Sequence, residues 1–103
     1  MAGETLADVR VVEWGTLISA PYAGKLLADL GAEVIKVEAP GAGDPSRSHG
    51  PFPRDIPHLE RSGLFLNLNT NKLSVTLAPQ LLTGRRILAQ LLEGADVFLT
   101  NMP

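Results

Sequence analysis

Residues 10–39, RVVEWGTLISAPYAGKLLADLGAEVIKVEA, decide the fold. Arg10 to Trp14 is a short β-rich run around Val11 and Val12, and Gly15 breaks it. A helix opens at Ser19 or Ala20 with Pro21 in its first turn, where a missing N–H costs little. Ala23, Leu26, Leu27 and Leu30 recur at helical spacing and predict its apolar face. Gly31 stands where a helix end takes a left-handed residue. Glu33 to Val37 is a second β-rich run. Strand, helix and strand make a βαβ unit with a right-handed crossover. The loop after the first strand leads straight into a helix N-terminus, where free N–H groups and the helix dipole favour anions. Open α/β sheets take ligands outside the carboxyl ends of their strands. Gly15, Thr16, Leu17, Ile18, Ser19 and Ala20 therefore form the candidate ligand loop. They carry neither G-x-G-x-x-G nor the P-loop signature, so dinucleotide and nucleoside-triphosphate fingerprints do not apply.

The rest of the chain is read outward from that unit. Trp14 reads as a packing residue, and Lys25 with Asp29 as a solvent-facing pair. Ala39 to Ser62 is broken by Pro40, Gly41, Gly43, Pro45, Gly50, Pro51, Pro53 and Pro57, a density at which no regular element is expected. Its charges, Arg47, Arg54, Glu60 and Arg61, read as solvated. His49 and His58 have no carboxylate or thiol at ligand spacing and read as loop histidines. Leu64 to Leu68 is a short apolar segment, and Asn67, Asn69 and Asn71 signal turn chemistry. The strands are placed at Val9–Trp14, Glu33–Val37, Leu73–Leu77 and Asp96–Leu99. The helices are placed at Ala20–Leu30 and Thr83–Glu93, the second capped by Thr83 with Ile87, Leu88, Leu91, Leu92 and Ala95 inward. The expected architecture is a parallel α/β sheet with helices on both faces.

Composition sets the outer limits. The chain has 103 residues, 45% of them hydrophobic, which fits one small domain. A net charge of -2 gives no electrostatic case for nucleic acid or an anionic membrane. With no cysteine there is no disulfide, thiolate metal site or thiol nucleophile, and no metal site is expected. No apolar run reaches transmembrane length. Met1 to Asp8 is a polar, acidic lead-in unlike a signal peptide, with Leu6 placed against the sheet. These readings point to the cytoplasm. The end of the chain directly after a strand is read as the mark of a segment of a longer protein.

The motifs APYAGKLLADLGAEVIKVEAPGAGDPSRSHGP, LNTNKLSVTL and TGRRILAQLLEGADVFLTNMP, after an initial VRVVE, resemble the N-terminal part of the family III CoA-transferases. That family includes formyl-CoA and carnitine CoA-transferases and α-methylacyl-CoA racemase. The resemblance covers nearly the whole chain, residues 1–103 as one Rossmann-like domain incomplete relative to the family. It implies a domain that holds the adenosine end of CoA, with a CoA thioester and a carboxylic acid as the substrates of the full enzyme. The family's catalytic Asp, and the His and Asp of its racemases, fall beyond this chain, so no catalytic residue is assigned. By position in the family motifs, Leu17, Ile18 and Ser19 match CoA-touching loop residues. Leu77 matches an adenine-side position, and Asn101 and Met102 match a pair beside the pantetheine arm. Two basic family positions that meet CoA phosphates are occupied here by Ala39 and Gln80, with Lys36, Arg47 and Lys72 as possible substitutes. The family's interlocked dimers imply a homo-oligomer or association with the missing C-terminal part. The alternatives are a stand-alone CoA- or nucleotide-binding module, a structural module that pairs with a separate catalytic chain, and a fragment of a racemase.

Overall fold

The computed structural model describes residues 5–102. The first four residues of the lead-in and the Pro103 that closes the last motif lie outside the described residues. In chain order the elements are β1 (Arg10–Trp14), α1 (Ser19–Asp29), β2 (Glu33–Glu38), α2 (Gly63–Leu68), β3 (Leu73–Thr76), α3 (Leu82–Glu93) and β4 (Val97–Thr100). The strands form one parallel sheet in the order β3-β2-β1-β4. The winding reverses at β1, so β1 and β4 flank the topological switch point. Each expected strand and long helix is present, displaced by at most one residue at either end.

Period-two alternation divides β1 between two cores. Val11 packs with Val34, Ala28 and Ala32 under α1. Val12 packs with Val37, Leu77 and Leu88 under α3. Leu6 joins the first core, and its N–H donates to Leu30 O at 2.8 Å.

The α1 face of the sheet is only half apolar. Glu13 and Lys36 are direct neighbours in the β1–β2 register, and both are buried beside Val11 and Val34. This explains the first correction. The buried side of α1 is Ala20, Pro21, Gly24 and Ala28, whereas Leu26 and Leu30 are exposed. Small residues leave room for long charged side chains below them. A Cβ on Gly24 would overlap Glu13 Oε1 and crowd Lys72 Cε.

Three further expectations are corrected. The Pro- and Gly-rich segment holds two short 3-10 turns, Pro45–Ser48 and Pro53–Asp55. Buried Ser62 pins the segment: its hydroxyl donates to Ser46 O at 2.8 Å and, as N-cap of α2, accepts from Phe65 N–H at 3.1 Å. Helix α3 starts at Leu82, with Leu81 at its N-cap position and no side-chain cap, so Thr83 lies inside it. Ile87 is exposed and only Leu88 of its expected stripe is fully buried, with Leu91, Leu92 and Ala95 packed partly against it. The turn chemistry was read correctly at Asn69 and Asn71 but not at Asn67, which lies inside α2. Asn71 adopts φ 64°, and its side chain donates to Asp29, which also meets Lys25 at 2.9 Å.

Gly24→Ala should lower unfolding free energy by about 2 kcal/mol or more, because the new methyl must displace a buried carboxylate from its partners. Urea unfolding followed by circular dichroism checks this. An unchanged midpoint would show that Glu13 has room to move.

Candidate functional site

The carboxyl ends of the strands are joined by two side chains that hold the β1–α1 loop. On one side, Asn101 forms a clasp after β4. Its Oδ1 accepts from Thr16 N–H at 2.9 Å, and its Nδ2 donates to Thr16 O at 3.0 Å and Ser19 Oγ at 2.8 Å. On the other side stands Asp44, buried in the loop after β2. Its Oδ1 accepts from Leu17 N–H at 3.1 Å and Ser46 N–H at 2.9 Å. Between these anchors Leu17 takes φ 63°, a left-handed conformation unusual for a branched residue. Ile18 then begins α1 with no side-chain cap and no acidic residue in the first turn. The helix start is thus left open to an anion.

Beneath the loop lies a network of buried charge. Lys36 Nζ is 2.8 Å from both Glu13 Oε2 and Asp44 Oδ2. Lys72 Nζ is 2.7 Å from Glu13 Oε1 and donates to Pro21 O at 2.9 Å and Asn69 Oδ1 at 2.6 Å. Two ammonium groups meet two carboxylates, so the cluster is neutral. Burial pushes the Asp44 carboxyl up, but hydrogen bonds from Lys36, Ser46 and Leu17 outweigh it and hold the group below its ordinary 3.8. Burial pulls the Lys72 ammonium below its ordinary 10.5, against the pull of Glu13.

Three hollows open at this edge; one, of about 280 Å³, lies between the ends of β2 and β3 against Glu38, Ala39, Arg47 and Thr76, and the other two border candidate residues. The smaller of these two, of about 170 Å³, lies among Trp14, Gly15, Thr16, Ala39, Gln80 and Met102, at the ends of β1 and β2 and against the segments that follow β3 and β4. The other, about 360 Å³ and more open, lies between the end of β3 and α3, against Pro40, Leu77, Leu81 and Ile87. The six candidate residues are distributed around this edge. Leu17 and Ile18 are exposed on the loop, Met102 lines the smaller hollow and Leu77 the larger. The side chains of Ser19 and Asn101 are bonded to each other.

None of the three substitute cations is free for a phosphate. Lys36 and Lys72 belong to the buried network. Arg47 meets both Glu38 oxygens, at 3.1 and 3.2 Å, and stacks 3.7 Å above the Phe65 ring. Ala39 and Gln80 both border the smaller hollow. Sequence reasoning missed Glu13, Gly24 and Asp44. The available signal was a glutamate and a lysine inside strands whose neighbours are valines, since a charge on a covered sheet face requires a partner.

The profile of CoA-transferase family III matches residues 6–103. The chain belongs to that family. It is 41% identical over 96 residues to the succinyl-CoA–D-citramalate CoA-transferase of Chloroflexus aurantiacus, covering 93% of this chain and 23% of that one. It is 42% identical over 97 residues to the mouse succinyl-CoA:glutarate CoA-transferase, covering 93% of this chain and 21% of that one. Among solved structures, the CAIB/BAIF family protein from Brucella suis superposes with a TM-score of 0.81 at 34% identity, over 97% of this chain and 26% of that one. This family III chain therefore spans about a fifth to a quarter of the length of the relatives it matches.

Asp44 gives the domain an acid limb. Its folded pKa lies below the unfolded value, so its stabilisation is complete above the unfolded value and is lost as pH falls through the folded one. Thermal melts between about pH 6 and pH 3 should show stability falling in acid, and Asp44→Asn should flatten that fall. Parallel curves for the two proteins would remove Asp44 from the acid response.

Proposed function

We propose that this chain is the CoA-holding N-terminal portion of a CoA-transferase that moves CoA between a thioester and a carboxylic acid. The observation that carries this reading is the place of the two hollows that border candidate residues. They lie toward the carboxyl ends of the strands, the smaller against Gly15 and Thr16 of the loop that leads into α1, and they include Leu77 and Met102 of the positions that the family resemblance assigns to CoA. In this reading a phosphate takes the free N–H groups that begin α1. The adenine lies on the apolar cleft that includes Leu77. Leu17, Ile18 and Met102 provide an apolar bed, and Ser19 and Asn101 act by shaping the loop.

The same reading makes the chain inactive alone. The family resemblance implies a carboxylate nucleophile for the acyl transfer, at a position that no acidic residue here matches. The carboxylates nearest the hollows, Glu13, Glu38 and Asp44, are each buried against a cation. The purified chain should show no CoA exchange between a thioester and a free acid, followed by chromatography of the CoA esters. Sustained turnover would overturn this expectation.

Affinity for CoA should be weak, about micromolar to millimolar, because backbone groups carry the anion contact without a side-chain cation. Ala39→Arg should tighten binding about threefold to tenfold, less at high salt. Titration calorimetry on both proteins at two salt concentrations checks this. Equal affinities would count against a phosphate beside residue 39, and no binding by either protein against a CoA site here.

A second reading, a structural module joined to a separate catalytic chain, has its own support. The outer strand β4 leaves Val97 39% and Phe98 44% exposed. An apolar, unpaired strand edge favours further protein against it. Gel filtration of the chain separates a lone monomer from an assembly. Dimer formation and a cytoplasmic location belong to the first reading; the former rests on family resemblance and the latter on composition. Among the described residues no helix is long and apolar enough to cross a membrane.

A further inference from the structure

We infer that Asp44 is the positioning residue of the CoA loop: held by Lys36, its carboxylate fixes Leu17 in the left-handed conformation that presents the loop to the ligand. This rests on the reading that the loop meets CoA. The two oxygens of Asp44 are divided between two tasks. Oδ2 lies 2.8 Å from Lys36 Nζ inside the sheet, and Oδ1 receives the N–H groups of Leu17 and Ser46. The side chain is 1% exposed, so solvent does not compete for either oxygen. Leu17 would not choose φ 63° unaided, since the left-handed region is disfavoured for a residue with a branched side chain. Asn101 restrains Thr16 and Ser19 on either side but makes no bond to Leu17. The one side-chain bond to the Leu17 amide comes from Asp44.

The arrangement links a fixed point to a loop. Lys36 is on the central strand β2, bonded to Glu13 in register on β1, and cannot shift without moving the sheet. Asp44 carries that rigidity across to the first residues before α1. Asn at this position keeps an acceptor for Leu17 but gives up the charge that meets Lys36. Ala gives up both.

The test compares the wild-type chain, Asp44→Asn, Asp44→Ala and Val34→Ala. Val34 lies under α1 away from the loop, so Val34→Ala supplies a destabilised protein with the loop intact. Two quantities are read in each: the Leu17 amide resonance with its φ-sensitive coupling, by NMR, and CoA affinity, by calorimetry. The inference expects Asp44→Ala to lose the left-handed coupling and to weaken CoA binding about tenfold or more. Asp44→Asn should recover part of both, and Val34→Ala should change neither despite a lower melting temperature. If Asp44→Ala does not fold, Asp44→Asn against Val34→Ala decides the matter. An unchanged Leu17 coupling in Asp44→Asn and Asp44→Ala, or CoA affinity that follows melting temperature across all four proteins, would overturn the inference. Absence of CoA binding by the wild type would instead overturn the functional reading, while the Leu17 coupling would still report whether Asp44 sets the loop.

Discussion

Lys36 is a charged side chain on the central face of a sheet, and the domain is arranged around keeping it there. An unpaired ammonium at that depth would cost several kcal/mol. It is satisfied by Glu13 from the neighbouring strand and Asp44 from the following loop, and Glu13 is in turn satisfied by Lys72. The network spans β1, β2, the loop after β2 and the turn before β3. Replacing such a cluster by apolar residues is often neutral or stabilising, whereas removing one member costs about 3–5 kcal/mol. Its contribution is therefore better described as fixing one arrangement of loops than as adding stability.

That arrangement has a price at the helix above it. α1 turns a strip of small residues toward the sheet and leaves Leu26 and Leu30 in solvent. Gly24 lies directly over Glu13, where any side chain would collide with the carboxylate. At the carboxyl edge, the same network and the Arg47–Glu38 pair hold neighbouring cations in neutral partnerships. A phosphate at this edge is left with backbone N–H groups and the helix dipole, a modest attraction that salt weakens. Geometry, more than charge, supports the proposed ligand site at this edge.

Much of the fold could be read from residue patterns. Alternating valines marked β1 and β2, and Pro21 and Gly31 bracketed α1. The Leu and Ile spacing of residues 87–92 marked α3. The errors share a cause. Periodicity identifies which residues are apolar but not which surface they meet, so Leu26 and Leu30 were placed inward with Leu27, although only Leu27 packs against the core. Proline and glycine density signals the loss of long elements but not of 3-10 turns, and the cap at Ser62 became visible only with Ser46 and His49 beside it. The site was partly legible. The βα loop followed from the general behaviour of open sheets, and the individual residues came from family resemblance. Asp44 escaped because its partners, Leu17 and Lys36, are 27 and 8 positions away in a chain whose crossing could not be read from spacing.

The central claim is that the edge held in place by the buried network receives CoA. Titration of the isotope-labelled chain with CoA, followed amide by amide in NMR, tests it most directly. The account predicts shifts concentrated at Thr16, Leu17, Ile18, Ala39, Leu77 and Gln80, with the opposite edge around Asp8, Glu33 and Gly94 unmoved. Shifts centred on that opposite edge, or none at saturating CoA, would contradict it.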